Sequence, residues 1–172
     1  MIIELVYLAI SNLWCKMLIV IDDFLSGVDR DNITKTFLND GNMKWTDTKY
    51  NFIQDHCVFT ILTEANKYYN LQNMVGYESW SNYGNPISWH YDKDEYLWNT
   101  ENVLKTPICS IVYYGIINNV KGGRFLTESE IITPKNNRLL IFSPGIFHSA
   151  EDYSGERLSI AINPWDYKPK NY

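Results

Sequence analysis

The sequence predicts a mainly β fold, a β-sandwich or jelly roll buttressed on one side by helices, and three observations predict it. Aromatic residues make up 15% of the chain, with 13 Tyr, 7 Phe and 6 Trp, and such flat, amphipathic side chains suit strands and a lined pocket. Two segments of helical character precede Gly76. After Gly76, short apolar runs alternate with turn signals: Gly84-Asn85-Pro86, Asn118-Asn119, Gly122-Gly123, Ser143-Pro144-Gly145 and Ser154-Gly155.

Taken in order, the largely apolar stretch Met1 to Ile21 is expected to pack on the domain as a strand or helix. It lacks a basic leader and a small-x-small cleavage site, and Glu4 and Lys16 interrupt it too early for a membrane span. A translation start at Met17 is the alternative. Met17 to Phe24 reads as a buried strand. Ser26 with Asp29 three residues on resembles a capping box and opens a helix through about Leu38. Ile53, Cys57, Ile61, Ala65 and Tyr68 recur at helical spacing, so a second helix is expected over roughly 53–70, with His56 off the apolar stripe and at the surface. Strands are expected near 76–81, 87–92, 108–115, 124–127, 138–143 and 157–163. The acidic, aromatic segment Lys93 to Thr106 is either a solvated connection or a lid over a site. The whole reads as a single domain over 1–172, with N-terminal strand and helices in 17–75 and a β core in 76–165.

Composition excludes several classes. Apolar residues at 45% and charged residues at 20% describe a chain with a core, not a disordered one. Lys and Arg total 15 against 20 Asp and Glu, a net charge of −5, which argues against nucleic acid as a partner. Cys15, Cys57 and Cys109 are odd in number and form no Cys-x-x-Cys, so a disulfide framework or structural zinc site is not expected; a reducing, cytoplasmic setting is.

The chemistry starts at Trp89-His90-Tyr91-Asp92. Residues two apart share a face of a strand, so the His90 imidazole and the Asp92 carboxylate can address one metal. His148 follows a strand and the Ser-Pro-Gly turn and adds a third ligand. Two His and one carboxylate match the facial triad of non-haem Fe(II), although histidines hydrogen-bonded at strand ends would give the same pattern. Arg157 adds weight. Alternation sets Arg157, Ser159 and Ala161 on one face and Leu158, Ile160 and Ile162 on the other, so a guanidinium and a hydroxyl beside a small residue form a recess able to grip a carboxylate.

His90-x-Asp92, His148 and Gly155-x-Arg157-x-Ser159 together resemble the Fe(II)/2-oxoglutarate-dependent dioxygenases, in their prolyl 4-hydroxylase-like branch. The likeness runs from about Gly76 to Trp165; Ile21 to Ser26 and Gly122-Gly123 also match the branch. It implies a double-stranded β-helix (jelly roll) with N-terminal helices packed on the outer face. It further implies Fe(II) on His90, Asp92 and His148, and 2-oxoglutarate as co-substrate with its distal carboxylate on Arg157, assisted by Ser159. Tyr114 stands where the branch offers a phenol to the same carboxylate, or else packs in the core. Dioxygen, and ascorbate as reductant, belong to the same implied chemistry, in which a C–H bond is hydroxylated with release of succinate and CO2. A peptidyl prolyl group is one implied substrate, and a small molecule is another.

The chain departs from the branch just upstream of His90, where the expected Tyr can be Tyr77 or Tyr83. Trp80, Trp89 and Trp98 are candidates for a substrate groove or for core packing. Two other readings stand beside the hydroxylase. One is a non-catalytic jelly-roll or cupin-like metal-binding domain. The other is a nucleobase demethylase, disfavoured because Asn163 occupies the position of that group's second Arg. Oligomeric state is not readable.

Overall fold

The computed structural model describes residues 3–8, 16–48, 55–170 and 172. Its order is β1 (Ile3–Leu8), β2 (Lys16–Ile21), α1 (Gly27–Asn39), β3 (Lys44–Asp47), α2 (His56–Ala65), β4 (Gly76–Tyr83), β5 (Ile87–His90), α3 (Glu95–Glu101), β6 (Ser110–Gly122), β7 (Phe125–Thr127), β8 (Ile131–Ile132), β9 (Arg138–Phe142), β10 (His148–Ala150) and β11 (Tyr153–Trp165). Two antiparallel sheets face each other. The larger runs β1-β2-β9-β6-β11-β4-β3 and the smaller β5-β10-β7-β8. This is the mainly β, jelly-roll arrangement expected from the sequence.

Strand alternation sorts the large sheet into two layers. Ile19, Ile21, Ile111, Tyr113, Leu139, Ile141, Leu158, Ile160 and Ile162 pack outward against α1 and α2, forming the main core. Leu18, Val20, Tyr114, Leu140 and Phe142 face inward with Phe125 of the small sheet. The N-terminal helices therefore cover the outer face, and the inner face is free to line a cavity.

Both helices start where side-chain chemistry dictates. The Ser26 hydroxyl accepts from the Asp29 amide at 3.2 Å, as the capping box predicts, and α1 buries Ile33 and Phe37. Asp55 caps α2 by accepting from the Val58 amide at 3.1 Å, and Cys57, Ile61 and Ala65 lie on its buried face while His56 is exposed. The helix is shorter than the expected 53–70. Residues 53 and 54 fall outside the described residues, and at the other end Asn66 Oδ1 accepts from the Leu71 amide at 2.9 Å, turning the chain before Tyr68. Tyr68 still packs against the core from that turn.

The segment 93–106, expected as a loop or lid, contains α3. Asp94 caps it by accepting from Leu97 N at 3.0 Å, and the helix buries none of its residues. The same Asp94 accepts from the Tyr167 hydroxyl at 2.9 Å, tying the chain just after Asp92 to the C-terminal segment. No helix among the described residues is long and apolar enough to cross a membrane.

Asn137 joins the layers. Its Oδ1 accepts from Leu25 N at 2.9 Å and from the Tyr113 hydroxyl at 2.8 Å, and its Nδ2 donates to Leu25 O at 2.9 Å. Its φ of 59° is a left-handed conformation that asparagine tolerates. Asn137→Ala leaves these buried partners unsatisfied and is expected to destabilise the fold by about 3 kcal/mol, read from urea unfolding.

β1 is an edge strand, paired with β2 from Ile3 opposite Ile21 to Leu8 opposite Lys16. On its other side β2 pairs with β9, and its Leu18 to Ile21 are buried. A chain beginning at Met17 keeps those contacts. It is expected to fold as the full chain does; insolubility would show that β1 is required.

Candidate active site

β5 and β10 are antiparallel neighbours with His148 directly opposite His90. This register sets the two imidazoles side by side, with ring centroids 4.3 Å apart. Asp92, just past the end of β5, reaches both: its Oδ1 lies 3.7 Å from His90 Nε2 and its Oδ2 3.8 Å from His148 Nε2. The potential ligand atoms of His90, Asp92 and His148 all lie within 4.8 Å of one another, a spacing that one ion can span.

The other ring nitrogens fix the tautomers. His90 Nδ1 is 2.8 Å from the Ser88 carbonyl and His148 Nδ1 is 2.9 Å from the Ile146 carbonyl. A carbonyl only accepts, so each Nδ1 carries a proton and each Nε2 is the nitrogen that a metal could take. Burial lowers the pKa of His148 and keeps it neutral. Burial alone would raise the Asp92 carboxyl, but its contact with His90, the nearby His148 and a hydrogen bond from Ser110 outweigh burial and hold it well below the usual carboxylate range. Burial works against a charge on His90 as well, but the hydrogen bond and charge of Asp92 outweigh it and raise the His90 pKa, so a metal would displace a proton from His90 Nε2; the donor set it would meet is two imidazoles and one carboxylate.

These residues line one cavity with Arg157, Ser159, Ala161, Tyr114, Trp80 and Asn82. Its space, with open solvent at the mouth included, is about 570 Å³. Arg157 is 1% exposed. Its guanidinium lies over the Tyr153 ring, 4.5 Å from the centroid, and one terminal nitrogen donates to Gly123 O at 2.8 Å. Its Nε is buried without a hydrogen-bond partner, and no carboxylate pairs with it among the described residues. A buried cation left so costs several kcal/mol unless an anion arrives, so the cavity suits an anionic ligand.

The surroundings of Arg157 explain the glycine pair. Gly123 has φ of 68°, and a Cβ there would lie 3.2 Å from the guanidinium. At Gly122, with φ of 81°, a Cβ would meet Asp152 O at 2.5 Å. On the next strands, Ser159 pairs with Tyr114 of β6 on one side and Asn82 of β4 on the other. Burial pushes the Tyr114 hydroxyl up to about 12, although Arg157 and Arg138 pull it down, so the phenol stays protonated and able to donate.

Tyr77 and Tyr83 both miss the cavity. In β4 the inward positions are Glu78, Trp80 and Asn82; Tyr77 joins the outer core and Tyr83 is half exposed. Of the three tryptophans, Trp80 lines the site opposite small Ala161, whereas Trp89 and Trp98 are exposed. Sequence reasoning missed Tyr153 and Asn82. Period-2 alternation continued from Glu78 and Trp80 would have found Asn82; nothing local marks Tyr153.

The sheets and this cavity define a class, the double-stranded β-helix folds that carry a two-histidine, one-carboxylate site. Three solved structures share this fold. A Pseudomonas putida prolyl-4-hydroxylase is 16% identical, with TM-score 0.58 over 88% of each chain. A Burkholderia pseudomallei oxidoreductase of the 2OG-Fe(II) oxygenase family is 10% identical, with TM-score 0.59 over 90% of this chain and 86% of the other. A Trichoplax adhaerens prolyl hydroxylase, in complex with a peptide fragment of the hypoxia inducible factor oxygen degradation domain, is 14% identical, with TM-score 0.53 over 87% and 83%. No protein-family model matches the chain. No curated protein sequence matches it either.

Proposed function

We propose that the chain is an Fe(II)- and 2-oxoglutarate-dependent hydroxylase acting on a peptide. The observation that carries this reading is Arg157: a buried guanidinium whose Nε has no hydrogen-bond partner and which has no carboxylate partner among the described residues, in the same cavity as the His90, Asp92 and His148 cluster.

In this reading His90 Nε2, His148 Nε2 and an Asp92 oxygen would hold the iron. Arg157 receives the distal carboxylate of 2-oxoglutarate through charge-assisted hydrogen bonds, with Ser159 and the protonated Tyr114 as neutral donors beside it. The stacked Tyr153 ring and the Gly123 carbonyl keep the guanidinium aimed, and the apolar inner layer keeps water away. When bound, the iron with 2-oxoglutarate and dioxygen supplies the oxidising chemistry, giving succinate, CO2 and a hydroxylated product. The peptide, and a prolyl side chain within it, is supported by the two prolyl hydroxylases of the same fold, one of them bound to a peptide.

Anaerobic addition of Fe(II) and then 2-oxoglutarate should develop a weak visible metal-to-ligand charge-transfer band, and oxygen with a peptide panel should release succinate. A metal-binding jelly roll without activity would show neither.

A further inference from the structure

Asn82 places a polar group in the cavity for which the proposed chemistry has no use. It sits on the inner face of β4, directly opposite Ser159, and lines the cavity with the iron-binding cluster. Its Oδ1 is buried and has no hydrogen-bond partner among the described residues. An amide oxygen only accepts, so it needs an N–H or O–H. The ionised diacid has only accepting oxygens and cannot meet that need. Arg157 can donate, but its free Nε and the Asn82 oxygen are both without partners, so they do not pair with each other, and the guanidinium is required for the diacid. The Ser159 and Tyr114 hydroxyls, which share the cavity, are likewise turned to the diacid in that reading, which leaves the molecule being oxidised as the source of the donor.

We propose that Asn82 is a specificity-determining residue whose Oδ1 accepts a hydrogen bond from a backbone N–H of the peptide substrate. This rests on the hydroxylase reading above and adds a rule to it. A prolyl residue has no N–H of its own, so where proline is oxidised the donor is the amide of a neighbouring residue. Trp80, two residues back on the same face, offers an apolar surface beside that contact. A site built around a buried acceptor discriminates against a ligand lacking the donor more sharply than an apolar pocket can, because the acceptor is then left desolvated and unpaired.

The test uses acetylated tripeptide amides, each with twins in which one backbone N–H at a time is replaced by N–CH3. With Fe(II), 2-oxoglutarate and oxygen, the wild-type protein should lose roughly tenfold in kcat/KM for succinate release on one twin of the best tripeptide, mainly through KM. Asn82→Val and Asn82→Ala should turn over the unmethylated peptide about tenfold less well and show no difference between that pair of twins. Both variants should bind 2-oxoglutarate with Mn(II) within about twofold of wild type, which also shows that they are folded. A wild type indifferent to every N-methylation, one that binds 2-oxoglutarate but oxidises no tripeptide, or variants that keep the full preference would overturn the proposal. So would a greater than tenfold loss of 2-oxoglutarate affinity in both variants, because Asn82 would then serve the diacid. Failure of the wild type to bind 2-oxoglutarate would instead overturn the hydroxylase reading.

Discussion

Arg157→Ala is expected to weaken 2-oxoglutarate binding by roughly 30- to 4,000-fold, the equivalent of about 2–5 kcal/mol for a charge-assisted contact removed from a buried site. The effect is large because Arg157 is the cation in the cavity and is 1% exposed, so water does little to replace it. Metal affinity should barely change, since Arg157 is outside the His90, Asp92 and His148 cluster. Lysine keeps the charge but loses the planar fork and the flat face that lies on Tyr153, so Arg157→Lys should fall between wild type and alanine. Titration of 2-oxoglutarate in the presence of Mn(II), which prevents turnover, isolates this contribution. Wild-type affinity in Arg157→Ala would remove the main support for the oxygenase reading.

The second large effect is expected at the metal ligands. His90→Ala, Asp92→Ala and His148→Ala should each abolish iron-dependent succinate release. Asp92→Ala should be the most damaging to metal affinity, because it removes the only negative charge of the cluster and leaves two imidazoles facing a cation. His56→Ala is the control: its side chain is 76% exposed, on α2 at the outer layer, and activity should remain near wild type. Isothermal titration with Mn(II), alongside turnover with Fe(II), separates loss of the metal from loss of chemistry. Full activity in Asp92→Ala would refute the ligand assignment.

Much of this arrangement was legible because it is local. Ser26 and Asp29 are three residues apart and cap α1 as their spacing requires. Arg157 and Ser159 obey strand alternation, and so do the outward Leu158 and Ile160. His90 and Asp92 need only one bend of chain. What was not legible depends on partners distant in sequence. Lys44 to Asp47 carries no alternation and becomes β3 by pairing with Gly76 to Ser79. The α3 helix buries nothing, so no apolar stripe announces it, and Asp94 defines it instead. β6 and β11 both extend well beyond their expected ends because each supports the other across Asn118 to Gly122, a stretch in which Val120 is the one apolar residue and which reads as a turn by itself. The opposition of His148 and His90 is likewise a matter of register, which no single segment encodes.

That register has a further consequence for how rigidity is distributed. β6 and β11 have 13 residues each, whereas β5, β10, β7 and β8 have four, three, three and two. So few ladder hydrogen bonds give the small sheet little local stability of its own. Its first two strands carry His90 and His148, so an ion bridging them would act as a clasp across a short seam of the smaller sheet. Ligand binding stabilises the state that binds it, and here the gain is concentrated in one layer. Amide hydrogens of β5 and β10 should therefore exchange with solvent markedly more slowly once metal is added, while those of β6 and β11 change little. The metal would then serve the architecture of the smaller sheet as well as the chemistry inside it.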